Sequence, residues 1–212
     1  MTKSTAELTE EYIHNHPYIK SCLKNGLINY SSLARFMSNE FKITKKISLE
    51  AILIAARRLE LKLKKEINYD KEIKKILEKS EIEIKNKISV LIFDKKLTIE
   101  NIEKIYKNSI HNNGSSFFLE GSDNYTLITQ DKMVEKILQF SEKNVIKHHQ
   151  NLTLINIKNP PEVEEIPGIV AFLTSLFSEN GVNIIELLSC WKDTLFIFNS
   201  KDVNKVMNFL QF

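Results

Sequence analysis

Hydrophobic positions in the first 80 residues recur at helical spacing. The clearest stripe predicts an amphipathic helix with apolar side chains at i, i+3, i+4, i+7 and i+10, namely Leu49, Ile52, Leu53, Ala56 and Leu59. A second stripe over 33–41 predicts a preceding helix. Ser31 or Ser32 would cap that helix and Ser48 the longer one. The segment therefore predicts a helical domain.

The pattern changes from Ile82 onward, where β-branched residues partly alternate with polar ones and predict a strand. A helix capped by Thr98, a hairpin around residues 121–124, a helix over 131–140 and an extended segment over 145–148 follow. The order β-α-β-β-α-β is the split arrangement of ferredoxin-like folds.

The same order then begins again. Leu152–Ile157 predicts a strand, Pro167 suits the first position of a helix that ends at residues 180–181, and two strands and a last helix follow. No final strand follows in this second copy, so we expect its open edge to pair with another chain. The predicted fold is α+β: a helical domain at 1–80 and two tandem ferredoxin-like units with antiparallel sheets, at 81–150 and 151–212.

Residues 152–210 resemble an ACT domain, a ligand-sensing module of amino-acid metabolism. The resemblance is carried by the runs Glu165-Ile166-Pro167-Gly168-Ile169-Val170 and Glu179-Asn180-Gly181-Val182-Asn183-Ile184. It is strongest to the regulatory tails of aspartate kinases. Residues 82–148 match the topology but not these motifs, so we interpret them as a degenerate ACT-like unit. The whole layout is similar to small prokaryotic, chiefly archaeal, ACT-domain proteins with a helix-turn-helix-like head.

The resemblance implies that an amino acid binds between two ACT units of a homodimer. A helix N-terminus offers unpaired N–H groups and partial positive charge to the ligand carboxylate, and a carboxylate such as Glu165 can pair with its ammonium. The predicted ligand-binding residues are Glu165, Ile166, Pro167, Gly168, Ile169, Asn183 and Ile184. The alternative is that the Pro-Gly and Asn-Gly pairs only shape the two ends of a helix.

Basic charge is concentrated near the start of the chain. Residues 1–80 carry 16 Lys and Arg against 10 Asp and Glu, although the net charge of the whole chain is only +3. The two helices at 33–59 resemble a helix-turn-helix, so duplex DNA is a candidate partner. The predicted contacts are Lys45, Lys46, Arg57 and Arg58. The alternative is a helical dimerisation or docking module, since only 3 of the basic residues are Arg, the side chain that reads bases best.

Several classes are excluded by what the sequence lacks. It has no apolar run near the roughly 20 residues of a membrane span and no signal peptide at its start. Two distant cysteines, Cys22 and Cys190, fit a cytoplasmic protein, and we expect Cys190 in a core. No phosphate loop, nucleophile elbow or metal-ligand spacing is found, so no catalytic residue, metal or cofactor is predicted.

These observations together predict a non-enzymatic cytoplasmic regulator. It would bind an amino acid through its C-terminal ACT domain and act on transcription through its basic head. The alternative is a protein whose ACT units dimerise and regulate an amino-acid biosynthetic enzyme, without binding DNA.

Overall fold

The predicted apolar stripe, apart from the exposed Leu49 at its start, lies on the inner face of helix α4 in the computed structural model, which describes residues 3–41, 48–110 and 116–212. The first four helices are α1 (Thr5–His14), α2 (Pro17–Lys24), α3 (Tyr30–Phe41) and α4 (Leu49–Leu63). Their core contains Ile13, Leu23, Leu33, Met37 and Ile52, each at most 5% exposed. The helical domain predicted from periodicity is therefore present.

The N-caps of α3 and α4 differ from the prediction. Asn29, not Ser31 or Ser32, caps α3, because its Oδ1 accepts a hydrogen bond of 3.0 Å from the backbone N–H of Ser32. Ser48 occupies the N-cap position of α4, but its side chain makes no capping hydrogen bond.

The chain forms two compact units, Met1–Asn68 and Tyr69–Phe212. Helix α5 (Asp70–Glu78) lies in the second unit, where Ile73, Ile76 and Leu77 are buried in a core with sheet residues. The sequence places the boundary at residue 80 instead, because the charged run before it reads as a continuation of the head.

The second unit continues in the predicted order. Its elements are β1 (Glu81–Asp94), α6 (Ile99–Ile110), β2 (Phe117–Glu120), β3 (Asn124–Gln130), α7 (Asp131–Ser141), β4 (Val145–Lys158), α8 (Ile169–Glu179), β5 (Ile184–Cys190), β6 (Asp193–Asn199) and α9 (Val203–Phe209). The described strands form one six-stranded sheet in the order β2-β3-β1-β4-β6-β5, and every neighbouring pair is antiparallel. The α+β class is confirmed.

Two long strands run through both halves of this sheet. β4 is continuous over its 14 residues, whereas the sequence predicts two separate strands there. The first residues of β1 pair with the last residues of β4, with Glu81 opposite Lys158 and Lys85 opposite Leu154. Where these strand ends pair, the ammonium groups of Lys158 and Lys85 donate hydrogen bonds to the carboxylate of Glu83. These bonds hold the pKa of Glu83 below its usual value.

This pairing corrects the expectation of an open edge at the end of the second copy. The place of its missing last strand, beside β4, is filled by the start of β1. The edges of the described sheet are instead β2 and β5. A single chain thus completes the sheet that was expected to need a partner at that position.

The two long strands bend at matching positions. Lys87 in β1 and Asn151 in β4 have positive φ angles of 58° and 56°, and the register between the strands shifts next to Lys87. Such bulges turn a strand and change which side chains face each core. One core lies under α6 and α7, another under α5, α8 and α9, and a third covers the opposite face of the sheet.

Candidate functional site

The loop between β4 and α8 carries most of the predicted ligand-binding residues. A 3-10 turn spans Pro161–Glu165, and Gly168 then forms the N-cap of α8 with φ of 103°. Pro167 therefore lies two residues before the helix, and the prediction that it opens the helix is wrong. The physical reason is the left-handed conformation at Gly168, which separates the proline from the first helical residue.

The first turn of α8 has no side-chain cap. Its hydrogen bonding begins with the N–H of Phe172, which donates to the carbonyl oxygen of Gly168 at 2.8 Å. The N–H groups of the first turn of a helix have no acceptor within that helix, and they carry partial positive charge. This end of α8 is therefore suited to a carboxylate.

An open cleft of about 660 Å³ lies beside this helix end, within the range of about 300–1,000 Å³ typical of small-molecule sites. It is lined by Val163, Glu164, Ile166, Gly168, Ile169, Val170, Ala171, Ser189, Trp191 and Thr194. Three of the predicted residues, Ile166, Gly168 and Ile169, are among them. Glu165 and Pro167 are exposed on the same loop, and the lining carboxylate is that of Glu164.

Asn183 and Ile184 lie away from the cleft within one chain. Ile184 is opposite Phe198, at the start of β5. Ser189 at the cleft lies near the other end of that strand, and Trp191 directly follows that end. The two ends of a seven-residue strand are about 20 Å apart. The structure therefore brings Ile166, Gly168 and Ile169 together but does not bring Asn183 to them.

A buried amide joins the loop to the hairpin that forms the other wall. Asn159, 4% exposed, donates from both its backbone N–H and its side-chain Nδ2 to the carbonyl oxygen of Lys192, each at 2.8 Å. Nδ2 also lies 3.1 Å from Thr194 Oγ1, and Oδ1 accepts from the hydroxyl of Ser80 at 3.1 Å. These bonds fix the β5–β6 turn relative to the start of the loop.

Trp191 stands at the tip of that turn, in a two-residue loop between the paired residues Cys190 and Asp193. Its φ of 50° is a conformation that a bulky side chain rarely adopts and that costs about 1–3 kcal/mol. The ring is 63% exposed, and the Lys192 ammonium lies 4.7 Å from its centroid. Cys190 beside it is exposed, so its predicted place in a core is wrong.

Sequence reasoning missed Glu164, Ser189, Trp191 and Thr194. The last three come from the β5–β6 hairpin, outside the run 165–170, and only the strand pairing shows that they lie at the same cleft. The one signal available was a tryptophan in a tight turn, a position where glycine is usual.

The predicted nucleic-acid contacts lie in the first unit. Arg57 and Arg58 are exposed side by side on α4, and the Arg57 guanidinium lies 5.3 Å from the centroid of the Tyr30 ring on α3. Lys45 and Lys46 lie outside the described residues. The helix-turn-helix connection itself falls on the same excluded stretch.

The described part of the chain holds no candidate metal site and no membrane-spanning helix. Within residues 3–41, 48–110 and 116–212, no three His, Cys, Asp or Glu side chains are grouped so that they could hold a metal ion. Over the same ranges, no helix combines the length and the apolar character needed to cross a membrane.

Comparisons with known proteins show similarity in fold alone. No family model and no curated protein sequence matches the chain. Aspartate kinase from Clostridium acetobutylicum, an allosteric enzyme, matches 59% of this chain at 19% identity and a TM-score of 0.50. The regulatory subunits of aspartate kinase from Thermus flavus and Thermus thermophilus match with TM-scores of 0.48 and 0.45, at 9% and 8% identity. They cover 62% and 60% of this chain and 94% and 91% of their own.

The match covers only 32% of the Clostridium enzyme, so this chain corresponds to about a third of that protein. Over the matched part, the two chains share a fold, which agrees with the ACT-like fold that the sequence predicts. The chain is thus similar in fold to part of an aspartate kinase.

Proposed function

We propose that this protein is a non-enzymatic regulator that binds an amino acid at the cleft beside the N-terminus of α8. The observation that carries the proposal is this cleft, which combines the uncapped helix end at Gly168 with a carboxylate from Glu164. The helix N–H groups would receive the ligand carboxylate, and Glu164 or the neighbouring Glu165 its ammonium. Similarity in fold to an allosteric aspartate kinase supports a role in amino-acid metabolism.

The second unit, in this proposal, contains two ACT-like halves that share β1 and β4. The strand order β2-β3-β1-β4 in one half corresponds to β5-β6-β4-β1 in the other. The matching backbone angles at Lys87 and Asn151 and the similar segments after them support this equivalence. The first half carries no Pro-Gly motif, so the ligand site belongs to the second.

A homodimer would complete the site. β5 is an edge strand, and edge strands can pair with a second copy. Antiparallel pairing of β5 with its own copy places the start of one strand beside the end of the other. Asn183 of a second copy would then approach the cleft near Trp191, and Leu187, 39% exposed, would be covered.

A thermal-shift panel with each amino acid tests ligand binding. A ligand well above its dissociation constant stabilises the folded state by about 3–4 kcal/mol. We expect one class of amino acid to raise Tm, and Gly168→Val to abolish this shift. Ile99→Ala, at an exposed position of α6, is the matched control and should retain it. No shift with any amino acid would contradict the proposal.

Light scattering tests the dimer. Leu187→Lys should give a monomer because it places a charge in the proposed edge interface, whereas Ile99→Lys should leave the dimer intact. A wild-type chain that is already monomeric at high micromolar concentration would exclude this arrangement.

A second candidate function is DNA binding by the head. The observation that favours it is the adjacent exposed pair Arg57 and Arg58 on α4. Retention on duplex DNA should weaken steeply with salt and be lost in Arg57→Ala/Arg58→Ala. Arg35→Ala, on α3 beside Ser32, is the control. If the wild-type chain shows no salt-dependent retention on duplex DNA, docking to a biosynthetic enzyme is left as the role of the head.

A further inference from the structure

The cleft beside α8 is lined mostly by apolar side chains. Val163, Ile166, Val170 and Trp191 contribute to it, together with the hydroxyls of Ser189 and Thr194 and one carboxylate, that of Glu164. Among the described residues that line it there is no lysine, arginine or amide side chain. Once Glu164 has paired with the ligand's ammonium, the residues that line the cleft provide no further charged side chain.

Trp191 lines this cleft in a backbone conformation that is unfavourable for a bulky side chain. Its φ of 50° lies in the left-handed region, at a turn position where glycine would be unstrained. The indole is 63% exposed, so burial in the core does not offset this strain. Strained residues that persist in a fold are found most often at functional sites. The contact that Trp191 makes with the cleft is the feature that accounts for it.

The turn is held in place before any ligand arrives. The buried side chain of Asn159 bonds the carbonyl oxygen of Lys192, the residue after Trp191, at 2.8 Å. The Lys192 ammonium lies over the indole at 4.7 Å from its centroid. A preformed aromatic wall binds without an ordering cost, which favours rigid apolar partners.

We infer that Trp191 determines ligand specificity, and that the ligand is an α-amino acid with an apolar side chain, branched or aromatic, that packs on the indole. This inference rests on the proposed function of the cleft and adds the chemical class of the ligand. Lysine and aspartate are expected to bind weakly because their charged groups would be desolvated in a lining that offers them no further charged partner. Threonine can bond the hydroxyls of Ser189 or Thr194, but it is expected to bind less tightly because it offers the indole less apolar surface.

The chain contains one tryptophan, so its fluorescence reports directly on the cleft. The full-length protein is titrated with phenylalanine, leucine, isoleucine and valine, and with lysine, aspartate and threonine, and Tm is measured in parallel. We expect the apolar group to shift the emission saturably and to raise Tm. Binding of a charged or hydroxyl amino acid alone, seen as a Tm shift, would overturn this inference and leave the proposed function standing. No response to any amino acid would overturn both.

Substitution of Trp191 separates specificity from folding. Trp191→Gly should raise the Tm of the free protein, since glycine tolerates this φ, and weaken binding of the apolar amino acid at least about tenfold by calorimetry. Trp191→Phe should retain most of the affinity. Tyr18→Ala, at an equally exposed aromatic of α2, should not change it. Unchanged affinity in Trp191→Gly would overturn the inference.

Discussion

The side-chain amide of Asn159 and the main-chain carbonyl oxygen of Lys192 are joined by a hydrogen bond of 2.8 Å across 33 residues of sequence. A second donor, the backbone N–H of Asn159, reaches the same oxygen. Because Asn159 is buried, removal of its side chain takes one of two donors from the Lys192 carbonyl oxygen and a hydrogen bond from the buried Thr194 hydroxyl.

Asn159→Ala should therefore lower the free energy of unfolding by about 1–3 kcal/mol. It should also shift the emission of Trp191, because the turn that carries the indole is no longer fixed. Denaturant unfolding followed by fluorescence measures both effects. Asn183→Ala, at an exposed position, is the matched control. An unchanged midpoint together with unchanged emission would show that Asn159 does not position the turn.

Gly168 and Gly181 should differ in their tolerance of a methyl group. Gly168 has φ of 103°, well beyond the φ of about 50–70° that residues with a side chain adopt in the left-handed region, and a Cβ there would lie 3.3 Å from Ile73 Cδ1. Gly181 has φ of 62°, inside that region, and its Cβ would meet only the Lys205 ammonium at 3.8 Å. Gly168→Ala should cost more stability, about 1–3 kcal/mol, than Gly181→Ala. Equal costs, measured by chemical unfolding, would contradict the strain assigned to Gly168.

Burial raises the pKa of Glu186 on β5 above its usual value. The folded chain then binds more protons than the unfolded chain between the ordinary pKa and the raised one, so stability falls as pH rises through this window. Glu186→Gln cannot ionise, and we expect its Tm to exceed that of the wild type at pH above the window. Below it, where the wild-type carboxyl is protonated, the two Tm values should converge. A difference that is independent of pH would contradict this account.

The shared strands should couple the two halves of the second unit. Phe177, a residue of α8 in the second half, is fully buried, and its ring centroid lies 4.6 Å from that of Phe196. Phe177→Ala should cost about 3–5 kcal/mol. Native-state hydrogen exchange should show that amides of β3, in the first half, lose as much protection as those of β6. Exposed Ile146→Ala should change neither. Loss confined to β6 would show that the halves open separately.

Local patterns in the sequence predicted the elements well because each depends on nearby residues. The spacing over Leu49–Leu59 requires only a helix with one buried face, and α4 confirms it. The continuity of β4 could not be predicted in this way. His148-His149-Gln150-Asn151 looks like a break between two strands, but these residues lie within one strand whose middle is partly exposed.

The site was predicted in part for the same reason. Ile166, Gly168 and Ile169 belong to one local motif, and the cleft contains all three. Trp191 and Thr194 reach the cleft through the pairing of β5 with β6 and the bonds of Asn159, which are long-range contacts. Asn183 belongs to the same sequence motif, but it lies beside the end of β5 that is far from the cleft.

The pairing of Glu81–Lys85 with the end of β4 also determines when the second unit can form during synthesis. These residues leave the ribosome about 75 residues before their partners, and no earlier part of the described sheet pairs with them. The contacts within the first four helices span shorter distances in the chain, such as the 52 residues between Glu10 and Lys62, so they can form earlier in synthesis. Pairing at the start of β1 therefore waits until the end of β4 has been translated, and this part of β1 has no strand partner before then.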